Sequence, residues 1–335
     1  MPSIAIDVMS GDRQPRDYVA AVARALDEDP ELSVVVVGDP AVIEPLLDAA
    51  VTASARSRVE RVPASQVVAM DEPPREAIRH KKHSSMRVAI DLVKAGRAEA
   101  CVSAGNTGAL TAMAHFVLKT VAGVERAAIM SAIPAAHGHT HMLDLGANTK
   151  ATPGQLLQFA HMGSVVARDV YGIERPRVGL LNVGEEDMKG HEIVQAAHAL
   201  LGESGLHYIG FVEGTHIFSG DVDVVVTDGF TGNVALKTME GAAHLIADRL
   251  RTEFTNGLYS RLAGLVARPV LRRAAEGLDP RRYNGACMVG LSGIVVKSHG
   301  GADSMAFSRA ISLAALAARR GLTAHIEQAL RGQET

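Results

Sequence analysis

The chain contains no Trp, and aromatic residues make up only 4% of its 335 positions. Its apolar content, 47%, comes mainly from Ala, Val and Leu with abundant Gly, the composition of parallel sheets covered by helices. Two cysteines, Cys101 and Cys287, supply no disulfide framework and fit a reducing cytosol. Formal net charge is −3, so no global basic field points to nucleic acid. No run of about 18 apolar residues occurs, so no membrane-spanning helix is expected. The opening MPSIAIDVMSGD lacks a basic region followed by an apolar one, and no signal peptide is expected. Three motifs are missing too. No G-x-x-x-x-G-K-[ST] occurs, against a P-loop nucleotidase. No two glycines are separated by a single residue, so the dinucleotide fingerprint is absent. No G-x-S-x-G elbow occurs, against an α/β-hydrolase.

What is present is a repeated strand–turn–helix grammar, clearest from Asp221 to Leu250. Val222, Val224, Val225 and Val226 form a β-branched run of the kind that fills a buried strand. Asp228 to Asn233 follows as a turn. Val234, Leu236, Met239, Ala242, Ala243, Ile246 and Leu250 then recur at helical spacing. Such a unit sets backbone N–H groups and a helix dipole at a strand end, which favours an anion; it is equally an ordinary βα connection.

The same grammar runs through the chain. Strands are expected at Ile4–Asp7, Leu32–Val37, Val59–Val62, Ala100–Val102, Ala127–Ile133, His139–Leu145, Arg177–Leu181, Tyr208–Val212 and Gly293–Lys297. Helices are expected after Pro15, near Ala41–Val51, after Pro73-Pro74, up to Leu118, over Pro153–Val170 and Glu192–Leu201, and after Asp303. This alternation defines an α/β fold with a largely parallel sheet, and 335 residues suffice for one large domain. Leu258 to Leu278 departs from the grammar. Leu258, Leu262, Leu265 and Val266 share a helical stripe beside Arg261, Arg268, Arg272 and Arg273, and Pro269 is expected to break or bend the helix. The stripe suits a lipid interface or the packing of a helix pair across a dimer.

Several residues invite chemistry. His137, His139 and His141 alternate, so they would share one face of a strand at an exposed edge; no carboxylate stands at ligand spacing, and no metal is expected. Cys101 reads as a small core residue. Lys189 sits in a Gly-flanked acidic loop after a strand, either as a surface lysine or as a cation for a bound anion. His299 lies in a Gly-rich turn at a strand end. Arg79, Lys81, Lys82 and Arg87 fall in the densest cationic run, which is either a solvated helix start or a dock for an acidic partner, with Arg281 and Arg282 as second candidates.

The order and spacing of seven motifs resemble the phosphate acyltransferase family (acyl-ACP:phosphate transacylase, PlsX) along nearly the whole chain. They are IDVMSGD from Ile6, SSMR from Ser84, CVSAGNTGAL from Cys101, LDLGAN from Leu143, GEEDMKG from Gly184, DGFTGNVALK from Asp228 and VVKSHGGAD from Val295. Two departures stand out. Ser10-Gly11 replaces the usual paired glycine, and Lys150 stands near the usual position of an acidic residue. The resemblance implies an α/β/α sandwich of the isocitrate and isopropylmalate dehydrogenase type, used as a homodimer. It implies transfer of a long acyl group from acyl carrier protein to inorganic phosphate, with no cofactor and with peripheral membrane association of a cytoplasmic enzyme. Lys189, Asn233 and His299 are the expected catalytic residues. Asp7, Gly11, Asp12, Ser103, Gly105, Asn106, Thr107, Gly108, Asn148, Asp228, Gly229 and Gly232 are the expected phosphate and substrate contacts. The expected organisation is one catalytic domain, 1–335, with a helical protrusion at about 240–278. The alternatives are a short-chain phosphotransacylase using acyl-CoA and a non-catalytic scaffold for carrier protein or membrane.

Overall fold

The computed structural model describes residues 1–278 and 283–331, the side chains of 272–278 excepted. Eleven strands form one sheet in the order β3-β2-β1-β4-β11-β10-β5-β6-β9-β7-β8. In chain order these are β1 (Ser3–Asp7), β2 (Ser33–Gly38), β3 (Val59–Pro63), β4 (Ala100–Ser103), β5 (Ala128–Pro134), β6 (His139–Leu143), β7 (Val178–Leu181), β8 (Tyr208–Val212), β9 (Val224–Val226), β10 (Ala286–Val289) and β11 (Ile294–Lys297). The steps β11–β10, β10–β5 and β5–β6 are antiparallel and the other pairings are parallel. Strands β6, β9, β7 and β8 therefore run opposite to β3, β2, β1, β4 and β11. The C-terminal strand ends open onto two rims, one at each end of the sheet.

Helices cover both faces, giving the α/β/α sandwich. One face packs α1 (Pro15–Glu28), α2 (Pro40–Ala50), α6 (Pro153–Asp169), α7 (Glu192–Gly202), α10 (Ser304–Arg319) and α11 (Leu322–Arg331) around Ile4, Ile6, Val34, Phe159 and Phe307. The other packs α3 (Pro74–His80), α4 (Ser85–Lys94), α5 (Thr107–Leu118) and the start of α8 (Gly229–Thr255) on Ala5, Cys101, Met142, Val225 and Val295. A fully buried side chain such as Phe159 is worth about 3–5 kcal/mol against truncation to Ala. Sequence-visible caps start many helices. The side chains of Ser84, Asn106, Thr152, Asp228 and Asp303 each accept a first-turn N–H, and each such cap contributes about 1 kcal/mol.

Four expectations are corrected. Helix α8 begins at Gly229, because Asp228 caps it, so the expected turn 228–233 is its first helical turn. Helix α9 (Leu258–Leu278) is not broken at Pro269; the carbonyl that Pro269 leaves without a helical donor belongs to exposed Leu265. Strand β6 is no edge, since it lies between β5 and β9, and His141 is buried. Strand β10 was not expected; it inserts antiparallel between β11 and β5. The second-choice cations Arg281 and Arg282 lie outside the described residues.

Candidate active site

The first rim gathers the turns after β1, β4 and β11. Asp7 and Lys297 are both in register with Ser103, so the three side chains share one face of the sheet across adjacent parallel strands. Asp7 is fully buried. It accepts the N–H groups of Met9 (3.1 Å) and Ser10 (3.2 Å) and the Ser103 hydroxyl (2.7 Å). Ser103 Oγ in turn accepts the Gly105 N–H at 3.1 Å. Ser10, where the resemblance calls for glycine, is buried with its hydroxyl 3.5 Å from that of Ser85. Its Cβ lies so close to Gly105 that a side chain at 105 would stand 2.7 Å from it.

Asp12 and Gly11 follow β1 and meet the turn after β11. The Asp12 N–H donates to the Gly300 carbonyl at 3.0 Å, and the Asp12 carboxylate lies against the Gly300 Cα hydrogens. Gly11 adopts φ 133°, and a Cβ there would meet the Tyr18 hydroxyl, which donates to Gly300 O at 3.1 Å. Burial pushes the Tyr18 phenol up to about 12, so it remains a donor. His299 is exposed; its Nδ1 accepts the Gly301 N–H and its own N–H donates to Asn284. Asn106 caps α5, and its amide donates to the carbonyls of Met70 (2.7 Å) and Glu72 (3.1 Å). It thereby clamps the 70–72 segment beside Thr107 and Gly108 at the head of α5. This segment leads into the cationic run. Arg79 and Lys82 are exposed there, Lys81 pairs with Glu72, and Arg87 pairs with Asp91 and lies over the exposed Phe116 ring.

Lys297 was not among the expected site residues. It is 8% exposed, and its ammonium donates to Ala104 O (3.2 Å) and to Ser298 O. Burial lowers its pKa from 10.5 to about 8; Asp12 and Asp7 oppose the fall, and the nearby Lys237 ammonium on α8 adds to it. A lysine that closes a strand of Ile and Val reads in sequence as a surface terminus. Only the register across β1, β4 and β11 places it inside.

The second rim holds the turns after β6 and β9. Asp144 is buried and accepts N–H bonds from Ile129, Gly146, Ala147 and Asn148 as well as the Asn148 amide. Burial raises its pKa against those donors. The Asn148 carbonyl accepts the Gly229 N–H at 2.7 Å, and Asp228 accepts the Thr231 N–H and hydroxyl. Gly232 lies on the Asp144 carbonyl, where a Cβ would come within 1.9 Å. Asn233 is exposed beside Gly146. The head of α8 thus has Gly229, Thr231 and Gly232 N–H groups satisfied from within the chain. Asn148 and Asp228 shape this turn and spend their side chains doing so.

Lys189 stands on the loop after β7, at the same rim. Its half-exposed ammonium lies 3.5 Å from Glu186, and neighbouring Glu185 pairs with His216 at 3.1 Å. The structure therefore groups Asp7, Gly11, Asp12, Ser103, Gly105, Asn106 and His299 at one rim. It groups Asn148, Asp228, Gly229, Gly232 and Asn233 at the other, with Lys189 alongside. The described link between the two sets is electrostatic, from Lys237 on α8 to Lys297 on β11.

Neither cysteine nor the rim serine is built as a nucleophile. Cys101 and Cys287 are buried, and burial pushes both thiols up. Ser103 spends its proton on Asp7. His141 in β6 is likewise held neutral, its pKa pushed down to about 3 by burial and by His139.

A family model described as "Fatty acid synthesis protein" matches residues 3–325. The chain belongs to that family, and it is an enzyme of the acyltransferase class. Its curated relatives are named phosphate acyltransferase. One from Alkalilimnicola ehrlichii is 54% identical over 98% of this chain and 96% of its own length. Another from Alcanivorax borkumensis is 53% identical over 98% and 97%. Phosphate acyltransferase function follows at that level, with an acyl donor and phosphate as its partners. In fold the chain is similar to EutD phosphotransacetylase from Staphylococcus aureus, with TM-score 0.60, 17% identity, and coverage of 95% of this chain and 94% of that one. It is also similar to a 4-hydroxythreonine-4-phosphate dehydrogenase from Salmonella typhimurium, with TM-score 0.54, 15% identity, and coverage of 94% and 99%.

Proposed function

We propose that the enzyme moves a long-chain acyl group from the thioester of acyl carrier protein to inorganic phosphate, giving acyl phosphate and free carrier for phospholipid synthesis. The observation that carries this reading is the first rim, where a buried ammonium joins two turns, a cationic run adjoins them, and neither Cys101 nor Ser103 is built as a nucleophile. Phosphate is then the nucleophile. One of its oxygens attacks the thioester carbon, the C–S bond breaks, and the proton carried by phosphate ends on the thiol. The protein has to hold the anion, aim it and stabilise the oxyanion. In this reading His299 passes the proton at the first rim, while Lys189 neutralises charge and Asn233 donates to an oxygen from the second rim, so both rims have to face one substrate. Exposed Arg79 and Lys82 meet the acidic carrier, so their charge reversal should raise the KM for acyl carrier protein. The chain acts as one catalytic domain, paired as a homodimer in the cytoplasm, with the α8–α9 hairpin as its protrusion and membrane contact. Among the described residues no helix is long and apolar enough to cross a membrane.

The test is thioester consumption by the purified enzyme. Acyl carrier protein thioester should be consumed only when phosphate is present, with acyl phosphate formed in equal amount. Faster turnover of short acyl-CoA than of acyl carrier protein would instead establish a short-chain phosphotransacylase. Consumption independent of phosphate would overturn both.

A further inference from the structure

Three features of Lys297 belong together. It is the buried lysine of the described structure, sitting at the C-terminal end of a strand in the middle of the sheet. Its ammonium bonds two carbonyls from two different turns, Ala104 after β4 and Ser298 after β11. Those turns continue into Gly105–Gly108, expected to hold substrate, and into His299, expected to be catalytic. Asp7 on β1, Asp12 on the turn after β1 and Lys237 on α8 are the charged groups that act on it. Asp7 already accepts three hydrogen bonds, so it supports the charge of Lys297 from a distance rather than taking its proton.

We propose that Lys297 is a positioning residue for the phosphate acceptor: its charged ammonium ties the turn after β4 to the turn after β11, and the rim holds phosphate only while that tie is charged. This rests on the reading that phosphate binds at this rim. A neutral amine has one donor fewer and a lone pair that faces carbonyl oxygen, so the tie weakens on deprotonation. A phosphate dianion beside two ammonium groups relieves the repulsion between Lys297 and Lys237, so phosphate and the Lys297 proton favour one another. The lowered pKa puts this coupling near the working pH of an enzyme rather than far above it.

The experiment measures the KM for phosphate from about pH 7 to about pH 9.5, expressed per phosphate dianion, because free phosphate itself still titrates at the lower end of that range. In the wild type it should climb roughly tenfold per pH unit above the midpoint, as one-proton linkage requires. The KM for acyl carrier protein should not follow. Lys297→Arg, which stays charged, should flatten the profile. Lys297→Met should show the high alkaline KM at every pH. Lys237→Gln should move the wild-type midpoint upward. A flat wild-type profile, or a folded Lys297→Met with the wild-type phosphate KM, overturns the proposal. If the enzyme forms no acyl phosphate at all, the acyl-transfer reading fails separately. Calorimetric binding of phosphate and of sulfate to the wild type then decides: weakening of both as pH rises supports the role of Lys297, and unchanged binding of both removes it.

Discussion

Asp7 and Lys297 close two strands that flank β4, and each stands in register with Ser103. A carboxylate and an ammonium thus lie buried on one face of a sheet with a hydroxyl between them. The carboxylate is satisfied by Met9, Ser10 and Ser103, and the ammonium by two carbonyls. The two charges are not in direct contact with one another; each is held by its own hydrogen bonds. The cost is desolvation: displacement of a lysine from 10.5 to about 8 corresponds to roughly 3 kcal/mol.

Lys189 gives the first prediction. Its ammonium is held by Glu186 on a Gly-flanked loop at a strand end. Lys189→Ala should lower turnover at saturating phosphate by about 10²–10³, the usual cost of losing one stabiliser of developing charge. Folded protein with near wild-type turnover would remove Lys189 from the reaction.

Two glycines of α8 should respond in opposite directions. A Cβ at Gly232 would stand 1.9 Å from the Asp144 carbonyl, which four N–H bonds to the Asp144 side chain hold in place. Gly232→Ala should therefore cost about 2–3 kcal/mol or more. Gly241, further along the same helix, has open space around it, and Gly241→Ala should add about 0.5–1 kcal/mol. Urea midpoints report both. Equal shifts would show that the turn at Asp144 yields.

The third prediction concerns acid. Burial pushes His141 down to about 3 and His161 down to about 4, against an ordinary 6.5. Between those values the unfolded chain binds protons that the folded chain refuses. Stability should thus fall as pH drops below 6.5, by up to about 1.4 kcal/mol per pH unit for each group. Unfolding midpoints near pH 7 and pH 5 measure the slope, and His161→Leu should reduce it. Identical midpoints at both pH values would mean that the two rings charge within the fold.

The hairpin provides the fourth. Leu258, Leu262, Leu265 and Val266 are all exposed on α9, alongside Leu245, Ile246 and Leu250 on α8. Wild-type protein should float with anionic liposomes, each nearby arginine adding about 1 kcal/mol. The double change Leu262→Glu and Val266→Glu should abolish flotation. A variant that remains dimeric and floats as well as wild type would place the lipid contact elsewhere.

Much of this fold is legible along the chain because its strands are short β-branched runs between Gly, Asn and Asp turns, and its helices carry side-chain caps. Val34–Val37 and Val224–Val226 are unmistakable in that sense. Ala286–Val289 is not, since Ala, Cys and Met carry no strand preference, and its place is fixed by two antiparallel neighbours. The site divides in the same way. Turn residues such as Asp12 and Asn106 are visible as site candidates through the family resemblance. What their side chains do is not, because Asn106, Asn148 and Asp228 are committed to caps and clamps that depend on distant carbonyls and amides. Lys297 is the extreme case, as its burial follows from strand order alone.

The sheet closes by bringing β11 against β4, so the ammonium of Lys297 meets a carbonyl 193 residues earlier in the chain. Asp7 and Ser103 are already 96 residues apart. During synthesis the first four strands emerge long before the strand that completes their rim, and they must wait with one edge unpaired. Activity in a growing chain is therefore expected only after β11 has emerged. A nascent chain stalled before β10 would display an open edge of β4, a natural target for chaperones.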